Sequence, residues 1–400
     1  VSPLHALTAR GTGLLVFGAA LLCAGLYVGE RTLVAAAVLL LALPLLSLLS
    51  LAGVGRSLVH SRTLRPPRVA AGSQAVVMVR VANASAVRPV GGVLAEDTVP
   101  PGWGATPRFP VGLLPPRRVH DMAYRIEAPR RGLHALGPLR VTVTDPLACA
   151  RVRRTLGGPE SLLVTPRLVA LGPGGPHGGA ADLGESPARS MAAGGEDDPV
   201  PRPYQRGDDL RRVHWRSTAR HGALMVRREE AHHAEDADVL VDMRAAAPSD
   251  PVLDTAVGAA ASVAVHLQAR GRRVRVVTGA GRIAEADGAQ GGAARLVEAL
   301  ALAPQAAPDA VGPWALAGAE AGGGPLVAVA GPLGAADAAA LAAAGGERER
   351  VAVLCAPDAP GTAGAASALA RSGWRVLDVR ALDDLPAAWA ALPAATGGGR

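Results

Sequence analysis

Two apolar runs open the pattern of hydrophobic and polar positions. Residues Gly11 to Gly29 carry no charge, and neither do Thr32 to Gly55. The second run is long enough to cross a bilayer core of ~30 Å at a rise of ~1.5 Å per residue, and the first is near the lower limit. Only Glu30 and Arg31 separate them, which leaves little room for a cleavage site. The pattern therefore predicts a hairpin of two transmembrane helices, about 11–29 and 32–55, filling residues 1–56, with Pro44 inside the second. Across residues 65–156 the period shortens. QAVVMVRVAN puts Val77, Val79 and Val81 on one face, RVHDMAYRIEAP alternates through Val119, Met122, Tyr124 and Ile126, and a strand Leu139–Val143 stops at Asp145-Pro146. Short strands with turn signals between them predict an antiparallel β-sandwich of immunoglobulin-like type. Residues 157–200 read as one more strand, Ser161–Leu171, followed by a flexible Gly/Pro-rich loop. Over residues 231–395, continuous apolar strands (Ala237–Arg244, Arg273–Gly279, Pro325–Gly331, Arg350–Ala356, Trp374–Val379) alternate with helical repeats, the pattern of a doubly wound α/β fold.

Charge orients this layout. Arg10 precedes the first span, and Arg56, Arg62, Arg65 and Arg68 follow the second with no acid before Glu96. Positive flanks favour the cytoplasmic side, so both termini are expected in the cytoplasm and the chain is expected to be a multi-pass protein of the inner membrane. The arginines after the second span are further expected to rest on anionic headgroups. All 41 basic residues are Arg and 34 residues are acidic, a net charge of +7 in a sequence skewed toward Ala, Gly, Arg and Pro. That skew reflects base composition, and with aromatic residues at 2% it weakens any case for nucleic-acid binding. Cys23, Cys149 and Cys355 form no C-x-x-C pair, which argues against a zinc ribbon or a disulfide framework.

Candidate chemistry concentrates at residues 201–230. This segment holds Tyr204, Gly207, Asp208, Asp209, Arg211, Arg212, His214, Trp215, Arg216 and Arg220. Three readings stay open: a structural Arg–carboxylate network, an anion- or partner-recognition surface, and catalysis with His214 as base and Asp209 orienting it. Ser217 has no nucleophile elbow. His214, His221, His232 and His233 lack the spacing that puts metal ligands on one helical face. No glycine-rich phosphate loop occurs.

The run YQRGDDLRRVHWRSTAR followed by HGALMV resembles the signature of a large bacterial family, domain of unknown function 58. The two amino-terminal spans, the RRGLHALGPLRVTVTDPLA stretch and the following α/β region are similar to that family's layout. The resemblance implies a von Willebrand factor A-like α/β domain. It also implies an association with MoxR-type AAA+ ATPases and transglutaminase-like membrane proteins, in complex assembly or the cell envelope. Such domains often hold Mg²⁺ through D-x-S-x-S after the first strand. Here Asp242 is in place, but Arg244 and Ala246 occupy the serine positions, so no metal, and no cofactor, is expected. The leading expectation is a non-enzymatic, membrane-tethered interaction or assembly protein with no catalytic residue. A hydrolase using Asp208, Asp209 and His214, and anion or nucleic-acid binding through the Arg run, are the alternatives.

Overall fold

Two compact units, Val1–Arg167 and Leu168–Arg400, make up the computed structural model of the chain. The structure describes residues 6–175, 202–203, 218–220, 222, 225–226, 236–245, 247, 250–288, 291–316, 324–344, 346 and 348–392.

The first unit begins with α1 (Ala9–Val28) and α2 (Arg31–Leu51), both long and apolar enough to cross a membrane. Gly18 of α1 faces Leu40 and Leu41 of α2, and Gly25 faces Leu33 and Val34, so the pair is an antiparallel hairpin packed through small residues. Each helix is capped: Thr8 Oγ1 accepts from Gly11 N, and the Glu30 carboxylate accepts from Thr32. The second helix ends at Leu51, four residues before the expected limit, because Gly53 turns the chain at φ 82°. A single turn, α3 (Val54–Ser57), leads into the strands.

Ten strands follow: β1 (Leu58–Arg65), β2 (Arg68–Ala70), β3 (Gln74–Asn83), β4 (Val90–Asp97), β5 (Arg108–Leu114), β6 (Val119–Glu127), β7 (Gly132–Leu136), β8 (Leu139–Thr144), β9 (Arg151–Leu156) and β10 (Glu160–Thr165). They form three sheets, ordered β1-β3-β6, β5-β4-β8-β9 and β2-β10-β7, around one apolar core. Val77, Val79 and Val81 of β3 point into that core as the alternation predicts. Val119 does not; it has the opposite parity to Met122 and Ile126 on β6 and faces solvent. The expected strand Ser161–Leu171 divides. Its first part is β10, which pairs with β2 and β7 and ends before Pro166, a residue with no amide hydrogen for a ladder. Its second part belongs to the other unit, where Val169 and Leu171 pack on the α/β core.

Two polar sites hold the first unit together. Arg62, on an inward position of β1, lies fully buried against Asp97 of β4, with Nε 3.1 Å from Oδ2. Tyr124 of β6 donates to the same carboxylate at 2.7 Å, and Arg62 Nη1 donates to Leu136 O of β7 at 3.2 Å. One charge pair thus ties together all three sheets. It also removes Arg62 from the residues expected to meet lipid. The second site is the turn after β8. Asp145 accepts from Ser47 Oγ of α2 at 2.8 Å and from the backbone amide of Leu147 at 2.9 Å. Thr8, at the head of α1, donates to Ala148 O and Cys149 O. The 145–150 turn is thereby fastened to both apolar helices. Asn83, at the end of β3, is buried and donates to Arg88 O and Leu114 O.

In the second unit, the two-residue strands β11 (Arg202–Pro203) and β12 (Met225–Val226) pair antiparallel, which brings the two ends of the Arg-rich segment side by side. A six-stranded sheet then forms from β13 (Asp236–Val241), β14 (Arg273–Thr278), β15 (Gly281–Ala286), β16 (Leu326–Ala330), β17 (Arg350–Leu354) and β18 (Arg375–Asp378), in the order β15-β14-β13-β16-β17-β18. All neighbours are parallel except β15, a hairpin return that the sequence pattern missed. Successive residues face opposite sides of the sheet. Val239, Val241, Val274, Val327 and Val351 pack under α4 (Pro251–Ala269), α5 (Gly292–Leu302) and the later α8 (Leu385–Ala390). Leu240, Ala328, Ala352 and Leu354 pack under α6 (Ala335–Ala343) and α7 (Thr362–Arg371). Although α4 has the length and apolarity of a membrane span, its small residues Ala256, Ala259, Ala260 and Ala264 are buried against the sheet. Asp238, on β13, is held by Arg275 at 2.7 and 2.9 Å and by Arg348 at 2.8 Å, all nearly buried. Cys23, Cys149 and Cys355 are free thiols.

Candidate functional site

Strand β13 is the place where the strand order reverses, with β14 added on one side and β16 on the other. Open α/β sheets bind ligands just beyond the carboxyl ends of strands at such a point. The residue there is Asp242. Its backbone amide still donates to Val329 O of β16 at 2.9 Å, so the ladder holds the carboxylate in place as the strand ends. It is the only candidate site residue on this sheet that the sequence singled out.

Arg244 covers it. Its Nε donates to Asp242 Oδ1 at 2.9 Å, its Nη2 to Asp242 Oδ2 at 2.7 Å, and its backbone amide to Oδ1 at 3.0 Å. The same guanidinium reaches Asp337, on the first turn of α6, at 3.0 and 3.3 Å. Trp314 Nε1 then donates to Asp337 Oδ1 at 3.0 Å. One planar fork therefore spans two carboxylates from two elements, the geometry that guanidinium serves best. Hydrogen bonding to Asp242 raises the Arg244 pKa above its ordinary value; desolvation opposes this and Asp337 adds to it. Asp337 and Trp314 had no part in the sequence-based reading. The one signal was Asp337 itself, a lone charge in an Ala-rich helix.

The arrangement does not fit a divalent cation. Mg²⁺ takes carboxylate and hydroxyl oxygens, but the first serine position carries the arginine that occupies both carboxylates. Among the described residues, no three His, Cys, Asp or Glu side chains come together as a metal site. Calorimetric titration of the full chain with Mg²⁺ or Mn²⁺ is expected to give no saturable heat. Saturable binding that vanishes in Asp242→Ala would overturn this assignment.

The other candidates from the sequence are Tyr204, Gly207, Asp208, Asp209, Arg211, Arg212, His214, Trp215 and Arg216, and all lie outside the described residues. So do Ser217, His221, His232 and His233. Arg220 lies in a short helical turn, residues 218–220, and is exposed.

No curated protein matches the chain. Among solved structures, it is similar to the CARDB domain of PF1109 from Pyrococcus furiosus. The solution structure of that domain gives 13% identity over 25% of this chain and 93% of that one, with a TM-score of 0.18. The crystal structure of the same domain with di-metal ions gives 12% identity over 25% and 85%, also with a TM-score of 0.18. The sporulation control protein Spo0M from Bacillus subtilis gives 8% identity over 25% and 48%, with a TM-score of 0.15. Likenesses at these scores fix neither fold nor function. Residues 201–323, by contrast, match a family model that takes in both the Arg-rich segment and the strand ending at Asp242. The family is described as protein of unknown function DUF58, and the match places residues 201–323, about a third of the chain, as similar to it.

Proposed function

We propose that the chain is a non-enzymatic interaction or assembly protein, tethered to the inner membrane by α1 and α2 with both termini in the cytoplasm. On this reading the strands of the first unit form an immunoglobulin-like sandwich. The second unit is a von Willebrand factor A-like domain that has exchanged its cation for a fixed arginine. The observation that carries the proposal is the Arg244 guanidinium lying across Asp242 and Asp337. The groups at the mouth of the sheet that would chelate an ion or move a proton are engaged with one another. A catalytic site needs such groups free to meet a substrate.

The partner we assign is a MoxR-type AAA+ ATPase, with transglutaminase-like membrane proteins as further members of the assembly. Cross-linking in intact membranes, followed by affinity capture of the full chain, is expected to return a AAA+ ATPase. Recovery of intact bait without one would overturn the partner. Turnover of an ester, peptide or phosphoester by the purified full chain would overturn the non-enzymatic reading.

A further inference from the structure

Where the two apolar helices meet the strands, the first unit holds a cavity of about 970 Å³. It is lined by Arg10 from the first turn of α1, by Leu48 and Leu51 from the last turn of α2, and by Arg151, Arg153 and Arg154 from β9. That volume is within the range of small-molecule sites. Strand β9 is the edge of its sheet, and its three arginines are exposed. Among the described residues, no carboxylate pairs with any of the four arginines. Asp145, the nearby acid of the 145–150 turn, is already engaged with Ser47 and the turn amides. Arg10 is steadied by a contact from Nη1 to Leu147 O at 3.4 Å. Like charges gathered at one cavity repel each other, and an anion bound there lowers that repulsion.

The two helix ends contribute little to this field. The carbonyl end of α2 and the amino end of α1 both line the cavity, so their dipoles oppose. At α1 the amide of Gly11 is already satisfied by Thr8. Selectivity therefore comes from the guanidiniums, which fork onto phosphate oxygens. The leucines supply the second half of the recognition. An apolar floor at the end of two membrane-length helices, rimmed by four arginines, has the amphiphilicity of a phospholipid at its glycerol and headgroup level. Basic pockets beside transmembrane helices on the cytoplasmic side bind such headgroups.

We propose that this cavity binds the phosphate of an anionic glycerophospholipid. The proposal rests on α1 and α2 being membrane spans. It uses arginines other than those expected from the sequence to meet lipid.

The test is native mass spectrometry of the full chain released from nanodiscs of phosphatidylcholine, with and without phosphatidylglycerol. Retention of phosphatidylglycerol in preference to phosphatidylcholine is expected. The triple variant Arg151→Gln/Arg153→Gln/Arg154→Gln is expected to lose that preference by on the order of 100-fold, about fivefold per charge removed. The corresponding Arg→Lys triple variant, which keeps the charges but not the forks, is expected to retain only part of that preference. All three positions are exposed, so the melting temperature of either variant stays unchanged, which separates lost binding from lost folding. Equal retention of the two lipids by the native chain, or unchanged selectivity in the Gln variant, would overturn the proposal. Displacement of the lipid by millimolar inorganic phosphate would do the same, since the site would then serve a free anion. Extraction of the native chain from membranes by alkaline carbonate would instead show that the anchor reading had failed.

Discussion

Replacing Asp97 by Ala is expected to destabilise the first unit by about 3–5 kcal/mol, the cost of leaving a buried charge without its partner. Arg62 is fully enclosed, and its remaining acceptors are Leu136 O at 3.2 Å and Glu160 at 3.6 Å. Neither replaces a bidentate carboxylate. The same substitution strands the Tyr124 hydroxyl, whose titration is pushed up first by burial and then by its bond to Asp97. Thermal melting of the full chain should show the unit's transition fall by roughly 10 °C or more. The triple change Arg62→Met/Asp97→Leu/Tyr124→Phe should cost far less, because an apolar filling of similar volume has no charge to desolvate. If Asp97→Ala melts like the native chain, the pair is not holding the sheets together. The Tyr124 phenol adds an alkaline signature. A phenol kept protonated by the fold stabilises it fully below pH ~10, where the unfolded phenol ionises, and that stability is lost as pH rises further. Tyr124→Phe should flatten this loss.

The second large effect is expected at Asp238→Ala, in the other unit. Its carboxylate is shared between Arg275 of β14 and Arg348, which lies just before β17, so removal leaves two nearly buried guanidiniums without the carboxylate they share. The expected loss is again about 3–5 kcal/mol, with Asp236, 3.5 Å from Arg275, limiting it. Hydrogen exchange resolves the outcome by region. Amides of β13, β14 and β16 should lose protection while those of β3 and β6 keep theirs. Uniform loss across both units would refute the assignment. Surface pairs such as Arg80–Asp121, more than half exposed on both sides, should by comparison change nothing measurable when broken.

Much of this architecture could be read from periodicity. The apolar spans, the alternation of Val77, Val79 and Val81, and the unbroken apolar strands of the α/β unit all follow from which faces must leave water. What escaped the sequence reading were pairings between distant residues. Arg62 was read as one of a run of membrane-flanking charges, although it shares its strand parity with buried Leu58. Asp97, likewise, has the parity of buried Val93 and Ala95. A charge on an inward position of one strand called for an opposite charge on another, and both were present. At the candidate site, Asp242 and the arginine beside it were visible because they are neighbours. Asp337 lies 93 residues from Arg244, and only folding brings it there. Val119 was misjudged because apolar character was counted without parity.

The grip of the 145–150 turn on Ser47 and Thr8 has a mechanical consequence. Only residues 52–57 join α2 to β1, so no slack tether lies between the strands and the hairpin. A push or twist delivered to the strands travels through Asp145 into the helices as torque. A load applied to the strands would therefore tilt or rotate the two apolar helices with them rather than being absorbed by a slack linker.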